Sequence, residues 1–193
     1  TSVSIENSIF EKNRCEDGLN IIRSSFSIKQ TVFRNSYSDA FDGDFVNGSM
    51  IDCEFINSGN DGIDISGSVL TINNIIISNS SDKAISAGEG SNITGSSIEI
   101  FGGEIGVVSK DLSKVKLDSV NILKTRLGFS VFQKKSEFGP GIIEITNLKL
   151  LENELDYLVE NNSKLMLNNI LSTTVSSNVI DKMYGKEYGK SSK

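Results

Sequence analysis

A 22-residue period runs through almost the whole chain. Eight short segments share one pattern: VSIENSIF (3–10), FSIKQTVF (26–33), GSMIDCEF (48–55), LTINNIII (70–77), ITGSSIEI (93–100), VKLDSVNI (115–122), IEITNLKL (143–150) and LMLNNILS (165–172). Their third residues are Ile5, Ile28, Met50, Ile72, Gly95, Leu117, Ile145 and Leu167, at steps of 23, 22, 22, 23, 22, 28 and 22. The eighth residues form a second column: Phe10, Phe33, Phe55, Ile77, Ile100, Ile122, Leu150 and Ser172. Between them runs a third: Ser8, Thr31, Cys53, Ile75, Ile98, Val120, Leu148 and Ile170. Alternation of this kind marks a short strand with one buried face.

A second strand follows each first one. Its small residues, Gly18, Ala40, Gly62, Ala84, Gly106 and Gly128, recur every 22 positions, and each is followed by an apolar residue: Leu19, Phe41, Ile63, Ile85, Val107 and Phe129. Asn13, Asn35, Asn57 and Asn79 form a column between the two strands, and stacked Asn amides can hydrogen-bond along a ladder. A unit this short cannot bury its apolar face alone, so like residues must stack on like, with rungs about 4.8 Å apart. A helical solenoid does not fit, because each unit alternates with period two and is crowded with Asn, Gly and Ser. The expected fold is all-β: a single-stranded right-handed parallel β-helix of about eight rungs over 1–172, with 173–193 forming a C-terminal cap and polar tail. Thr1 opens directly on a strand. An uncapped rung is an open edge, so further N-terminal chain or a partner is expected to cover it.

The 22-residue coil, the Asn ladder and the aliphatic stacks resemble the pectate-lyase-like superfamily of right-handed parallel β-helices, over residues 1–172. That resemblance implies the fold. The superfamily hosts lyases, hydrolases, esterases and adhesins alike, so the fold leaves the function open. Two segments, SDKAISAGEGS (81–91) and VFQKKSEFGPG (131–141), resemble β-helix regions of larger bacterial surface or secreted proteins, which implies an extracellular or cell-surface location.

Composition removes several kinds of chemistry. The chain has no His, so His-based triads, His metal ligands and most near-neutral proton shuttles are absent. Its net charge of −6 argues against nucleic acid and against an anionic membrane surface. No apolar run approaches the roughly 18–20 residues of a membrane span. Cys53 falls in a core column and Cys15 in a turn out of register with it, so no disulfide is expected. Phe10, Phe33 and Phe55 read as a core stack, leaving Tyr37, Phe45 and Phe138 as candidate exposed aromatics.

Acid concentrates on the second strand of the early rungs. In register, one column reads Asp17, Asp39, Asp61, Lys83. Another reads Asn20, Asp42, Asp64, Ser86, and a third Ile22, Asp44, Ser66, Gly88, Lys110. Strand alternation predicts that Asp42 and Asp64 are exposed neighbours one rung apart, with Asp39 and Asp61 at the adjoining turn. Stacked like charges repel. Compensation can come from a raised pKa, from a cation such as Lys83, or from Ca²⁺ held by Asp42, Asp44 and Asp64. In the later rungs the same columns read Ile105, Leu127, Val108 and Ser130, so acid is not a general turn preference of this chain.

NDGID (60–64) resembles part of the signature of polygalacturonase-type glycoside hydrolases, which implies a catalytic role for Asp61. The rest of that pattern is missing: Asp82-Lys83 stands where an Asp-Asp pair would be, and there is no Gly-His-Gly and no Arg-Ile-Lys. The 28-residue step reflects a six-residue insertion after a second strand, which is expected to emerge beside the acidic face and bring Lys134 and Lys135 to it. Two functions follow. In the first, the face on rungs one to four binds or processes an acidic or neutral polysaccharide, as a lyase or glycoside hydrolase. Asp39, Asp61, Asp64 and Lys83 are then the catalytic set, and Asp17, Asp42, Lys110, Lys134 and Lys135 contact the substrate. In the second, the chain is a non-catalytic structural or adhesive module of a larger surface protein.

Overall fold

The computed structural model describes residues 2–188; Thr1 and the end of the polar tail lie outside the described residues. The chain is a parallel β-helix. Strands Ser2–Glu6, Ser25–Lys29, Asn47–Ile56, Val69–Ser78, Asn92–Phe101, Lys114–Leu123, Ile142–Leu151 and Lys164–Leu167 stack in that order into one long sheet. Ile9–Glu11 and Val32–Arg34 complete its first two rungs. A second sheet stacks Asp17–Ile22, Asp39–Asp44, Ile63–Ser66, Lys83–Gly88, Ile105–Lys110, Leu127–Phe132 and Leu155–Val159. The register is the one the repeat demands: Ile5 pairs with Ile28, Ile28 with Met50 and Met50 with Ile72, while Leu19 pairs with Phe41 and Phe41 with Ile63.

Like-on-like stacking is most visible in the aromatic column. The Phe10 and Phe33 rings lie 4.9 Å apart and 7° from parallel, and Phe33 and Phe55 lie 4.9 Å apart and 1° from parallel. That spacing is the rung repeat itself, so each ring fills the space its neighbour leaves. The small-residue column has a separate cause. A Cβ on Gly62 would sit 2.7 Å from the carbonyl oxygen of Ala84, and one on Gly106 would sit 2.5 Å from that of Gly128.

Two expectations shift. The amide ladder runs through Asn35, Asn57 and Asn79, with Asn57 Nδ2 donating to Asn35 Oδ1 at 3.0 Å and Asn79 Nδ2 to Asn57 Oδ1 at 3.2 Å. Asn13 is one place out of this column. Lys12 holds the left-handed corner position that Asn35, Asn57 and Asn79 occupy, and Asn13 donates instead to the Cys15 carbonyl. Rung one carries its extra residue within this corner: Asp17 follows Lys12 by five positions, where Asp39 follows Asn35 by four. At the other end, the eighth segment does not complete a rung. Lys164–Leu167 continues the parallel sheet, but Ile170–Leu171 turns back antiparallel on Met166 and Leu167, leaving Ile170 exposed. The core columns expected at Ile170 and Ser172 therefore end one rung earlier. Cys53 is buried and Cys15 exposed, and both are free.

Beyond the Met166–Leu171 hairpin the Ser172 N–H donates to the Leu165 carbonyl and the Ser176 N–H to the Val159 carbonyl, so the chain passes from the last strand of one sheet to the last strand of the other. Helix α1 (Val179–Tyr184) packs on the outer face of the second sheet. There Val179, Met183 and Tyr188 form a second apolar cluster with Ile105, Val108, Leu127, Phe132 and Leu158. Arg126 pins it, reaching Glu104 at 2.7 Å and the Glu187 carbonyl at 3.1 Å while lying over the Tyr188 ring. Replacing Phe33 by Ala removes the middle of the aromatic stack. It is expected to cost about 3–5 kcal/mol in denaturant unfolding, and Phe10→Ala at the half-buried end of the column distinctly less.

Candidate functional site

The second sheet presents its outward residues in two acidic columns, and they do different jobs. Asp39, Asp61 and Lys83 follow one another at the strand entrances. Asp39 Oδ1 accepts the backbone N–H of Asp61 at 2.8 Å and the Asn60 amide at 2.6 Å. Asp61 Oδ1 accepts the backbone N–H of Lys83 at 2.9 Å. Each carboxylate thus satisfies a donor of the rung above it. Asp61 is 2% exposed and Lys83 4% exposed. Lys83 Nζ lies 3.6 Å from Asp61 Oδ1 and is paired with Asp82, and the Tyr184 ring stands 5.8 Å above it.

Burial pushes the Asp61 carboxyl up, ahead of the lowering by the Lys83 ammonium it shares with Asp82. Burial lowers the Lys83 pKa, but the two carboxylates outweigh it and hold the group charged. Asp61 and Lys83, expected among the catalytic groups, therefore form a buried ionic floor. Its place beside Asp61 and Asp82 favours the charged form of Lys83.

The other column is open. Asp42 and Asp64 pair in register on adjacent strands, as expected, but both are half-buried rather than exposed. Asn20 Nδ2 donates to Asp42 Oδ2 at 2.6 Å. Desolvation, then the charges of Asp44, Asp64, Asp17 and Asp39, raise Asp42 to about 7. Desolvation likewise raises Asp17, Asp39 and Asp44. Asp64 Oδ1 is buried and accepts no hydrogen bond; Lys110 Nζ lies 3.9 Å away and donates to Ser86 Oγ at 2.7 Å.

Compensation thus comes from a raised acid and from Lys110. The described residues contain no group of three His, Cys, Asp or Glu side chains arranged to hold a metal ion. Asp42, Asp44 and Asp64 do not form the Ca²⁺ site expected of them. Asp42 and Asp64 occupy one register position on neighbouring strands, while Asp44 stands two residues further on beside Ser66.

The insertion folds down over the corner after rungs four and five. Asp111 Oδ1 accepts the backbone N–H groups of Lys134 and Lys135 at 2.7 and 2.8 Å, and Lys135 pairs with Glu89. Lys135 is therefore tied away from the acids. Lys134 stays exposed, its ammonium 4.4 Å over the Tyr184 ring. Desolvation and its neighbours Lys110, Lys83 and Lys135 lower its pKa. Tyr37 and Phe45 are 72% and 53% exposed and bracket the Asp39–Asp44 strand, whereas Phe138 is half-buried. The residue that sequence reasoning missed is Tyr184. Its signal was present in Ile105, Leu127 and Val108, which are apolar where the early rungs carry acid and so call for a cover.

No family model matches the sequence, and no curated protein matches it. Among solved structures, the chain is similar to the catalytic domain of a GH87 alpha-1,3-glucanase in complex with nigerose, with a TM-score of 0.45 and 9% identity over 86% of this chain and 48% of that one. The chain spans about half the length of that structure.

Two outcomes follow from the electrostatics. The folded value of Asp42 lies above its ordinary value of 3.8, so the folded chain binds more protons between the two. Stability should therefore fall as pH rises from about 4 through 7. Asp17, Asp39, Asp44 and Asp61 are raised in the same direction and share this slope, so Asp42→Asn should lessen it and raise Tm at pH 8. Lys83→Ala strands the buried Asp61 carboxyl and should cost about 3–5 kcal/mol at pH 8, and less at pH 5, where Asp61 can take up a proton.

Proposed function

We propose that the outer face of rungs one to four binds and processes a polysaccharide, with Asp42 and Asp64 as its working pair. One observation carries this reading: two carboxyls stacked on adjoining rungs, of which Asp42 is held protonated near neutrality while Asp64 faces the Lys110 ammonium. Groups at one position of neighbouring strands stand about 4.8 Å apart, close to the roughly 5–5.5 Å separation of the two carboxyls in retaining glycosidases. Asp42 is the general acid of such a pair and Asp64 the carboxylate partner. Asn20 orients Asp42, and Lys110 holds Asp64 and contacts the substrate.

Exposed Tyr37, before the Asp39–Asp44 strand, offers an apolar ring face to a sugar, while the Phe45 ring beyond it carries the Arg23 guanidinium at 5.4 Å. Asp17 adds an acceptor at the open end. A lyase assignment has less support, because Lys83 is buried between carboxylates and does not serve as the base.

The alternative reading, a non-catalytic spacer or adhesive module of a larger surface protein, draws support from Asp39 and Asp61, whose oxygens already serve the backbone. The test is a glycan array with polysaccharide pull-down covering α-glucans, β-glucans and pectic fragments, run on the wild type and on Asp42→Asn/Asp64→Asn. The expected result is binding by the wild type, reduced at least tenfold in a double variant that melts no lower. Wild-type binding unchanged in the variant, or no binding to any glycan, would contradict the proposal and favour the structural module.

A further inference from the structure

The outward face of the second sheet changes character along the axis of the helix. In the column through the working pair, Asn20 is exposed and Asp42 and Asp64 are half-buried, but Ser86, Val108 and Ser130 are fully buried. In the neighbouring column the same change falls between Asp39, half-buried, and Asp61, Lys83, Ile105 and Leu127, all buried. The strands do not change; what covers them does. From rung four onward, α1 and the Gln133–Gly141 stretch lie over the sheet.

The edge of that cover is a definite structure. The Tyr184 ring stands over Lys83 and under the Lys134 ammonium, with Phe132 edge-on at 6.1 Å. Its contact with Lys83 places the ring at rung four, over the strand next to that of Asp64, and burial raises its hydroxyl pKa. The wall is held from behind by the Val179 and Met183 contacts, by Ser176 N–H on the Val159 carbonyl at 2.7 Å, and by Arg126. Rung one is more open: Asn20 and Ile22 are exposed there and Asp17 only half-buried.

From this gradient we infer that the face is blind at its rung-four end, so that it takes the end of a sugar chain and not its middle, with Tyr184 and Lys134 closing the last position. This rests on the polysaccharide reading above and adds its mode. A chain lying along the acidic column meets Tyr184 and Lys134 just beyond Asp64, and its terminal residue stops there with its hydroxyls within reach of the Lys134 ammonium. The other end of the chain runs over the exposed Asn20. Tyr184 and Lys134 are specificity-determining residues here: they decide where the ligand stops and take no part in bond cleavage.

The test uses the full chain and the tightest-binding oligosaccharide from the array, prepared in two forms. One carries a bulky fluorophore at the reducing end and the other at the non-reducing end. One tag should be tolerated and the other should weaken binding at least tenfold. In Tyr184→Ala/Lys134→Ala, whose melt must match the wild type, the discriminated tag should regain most of that loss. Equal tolerance of both tags by the wild type overturns the inference and leaves the polysaccharide reading standing. Continued discrimination in the double variant overturns the assignment to Tyr184 and Lys134. If no array glycan binds, the reading and this inference fall together. Where the double variant melts early, Lys134→Ala alone, on an exposed residue, carries the same comparison.

Discussion

Stacking of identical positions at one rung spacing is the constraint on which everything else in this protein depends. The 4.9 Å separation of the Phe10, Phe33 and Phe55 rings is the same repeat that sets Asp42 beside Asp64. Because the sheets are parallel and in register, a residue type that recurs every 22 positions becomes a continuous stripe. Apolar stripes fill the core and amide stripes satisfy the corners. An acidic stripe concentrates charge that the fold must then neutralise.

The chain neutralises it in two ways, and the difference separates scaffold from site. Asp39 and Asp61 spend their oxygens on the backbone of the next rung, and Asp61 is sealed under Lys83 and Tyr184. Asp42 and Asp64 have no such work. One keeps its proton toward neutrality and the other leaves an oxygen without a hydrogen bond. A buried floor beneath a half-buried, incompletely paired couple is a rigid support for the pair we propose to work on a polysaccharide, since the floor resists the relaxation that would quench the repulsion above it. The C-terminal segment belongs to the same economy. By covering Ile105, Val108, Leu127 and Phe132 it lets the later rungs carry apolar side chains outward, and in doing so it sets where the acidic face stops.

The fold was legible because its signal is repeated. Ile5, Ile28, Met50 and Ile72 announce one position several times over, and each copy checks the others. The columns that run through Asp42, Asp64 and Ser86 were legible for the same reason. What one repeat cannot state is what lies over it. Lys83 lies against the Tyr184 ring, about a hundred residues away in sequence, and no periodicity reaches that contact. Asn13 was misplaced because the spacing between rungs one and two is 23 through the first strand and its corner, and falls to 22 only at the second strand. The eighth rung was overextended because its pattern survives in the letters after the hairpin Met166–Leu171 has reversed the chain.

The central claim is that Asp42 and Asp64 form a strongly interacting, unevenly protonated pair on an otherwise satisfied scaffold. Carbon-13 titration of the aspartate carboxyls, with Asp42 assigned by its disappearance in Asp42→Asn, measures this directly. The account predicts that Asp42 titrates near 7 and moves down when Asp64 is replaced by Asn, because one of the charges that raise it is gone. Titration of Asp42 near the ordinary aspartate value, unmoved by Asp64→Asn, would contradict it and leave the acidic face as solvated surface.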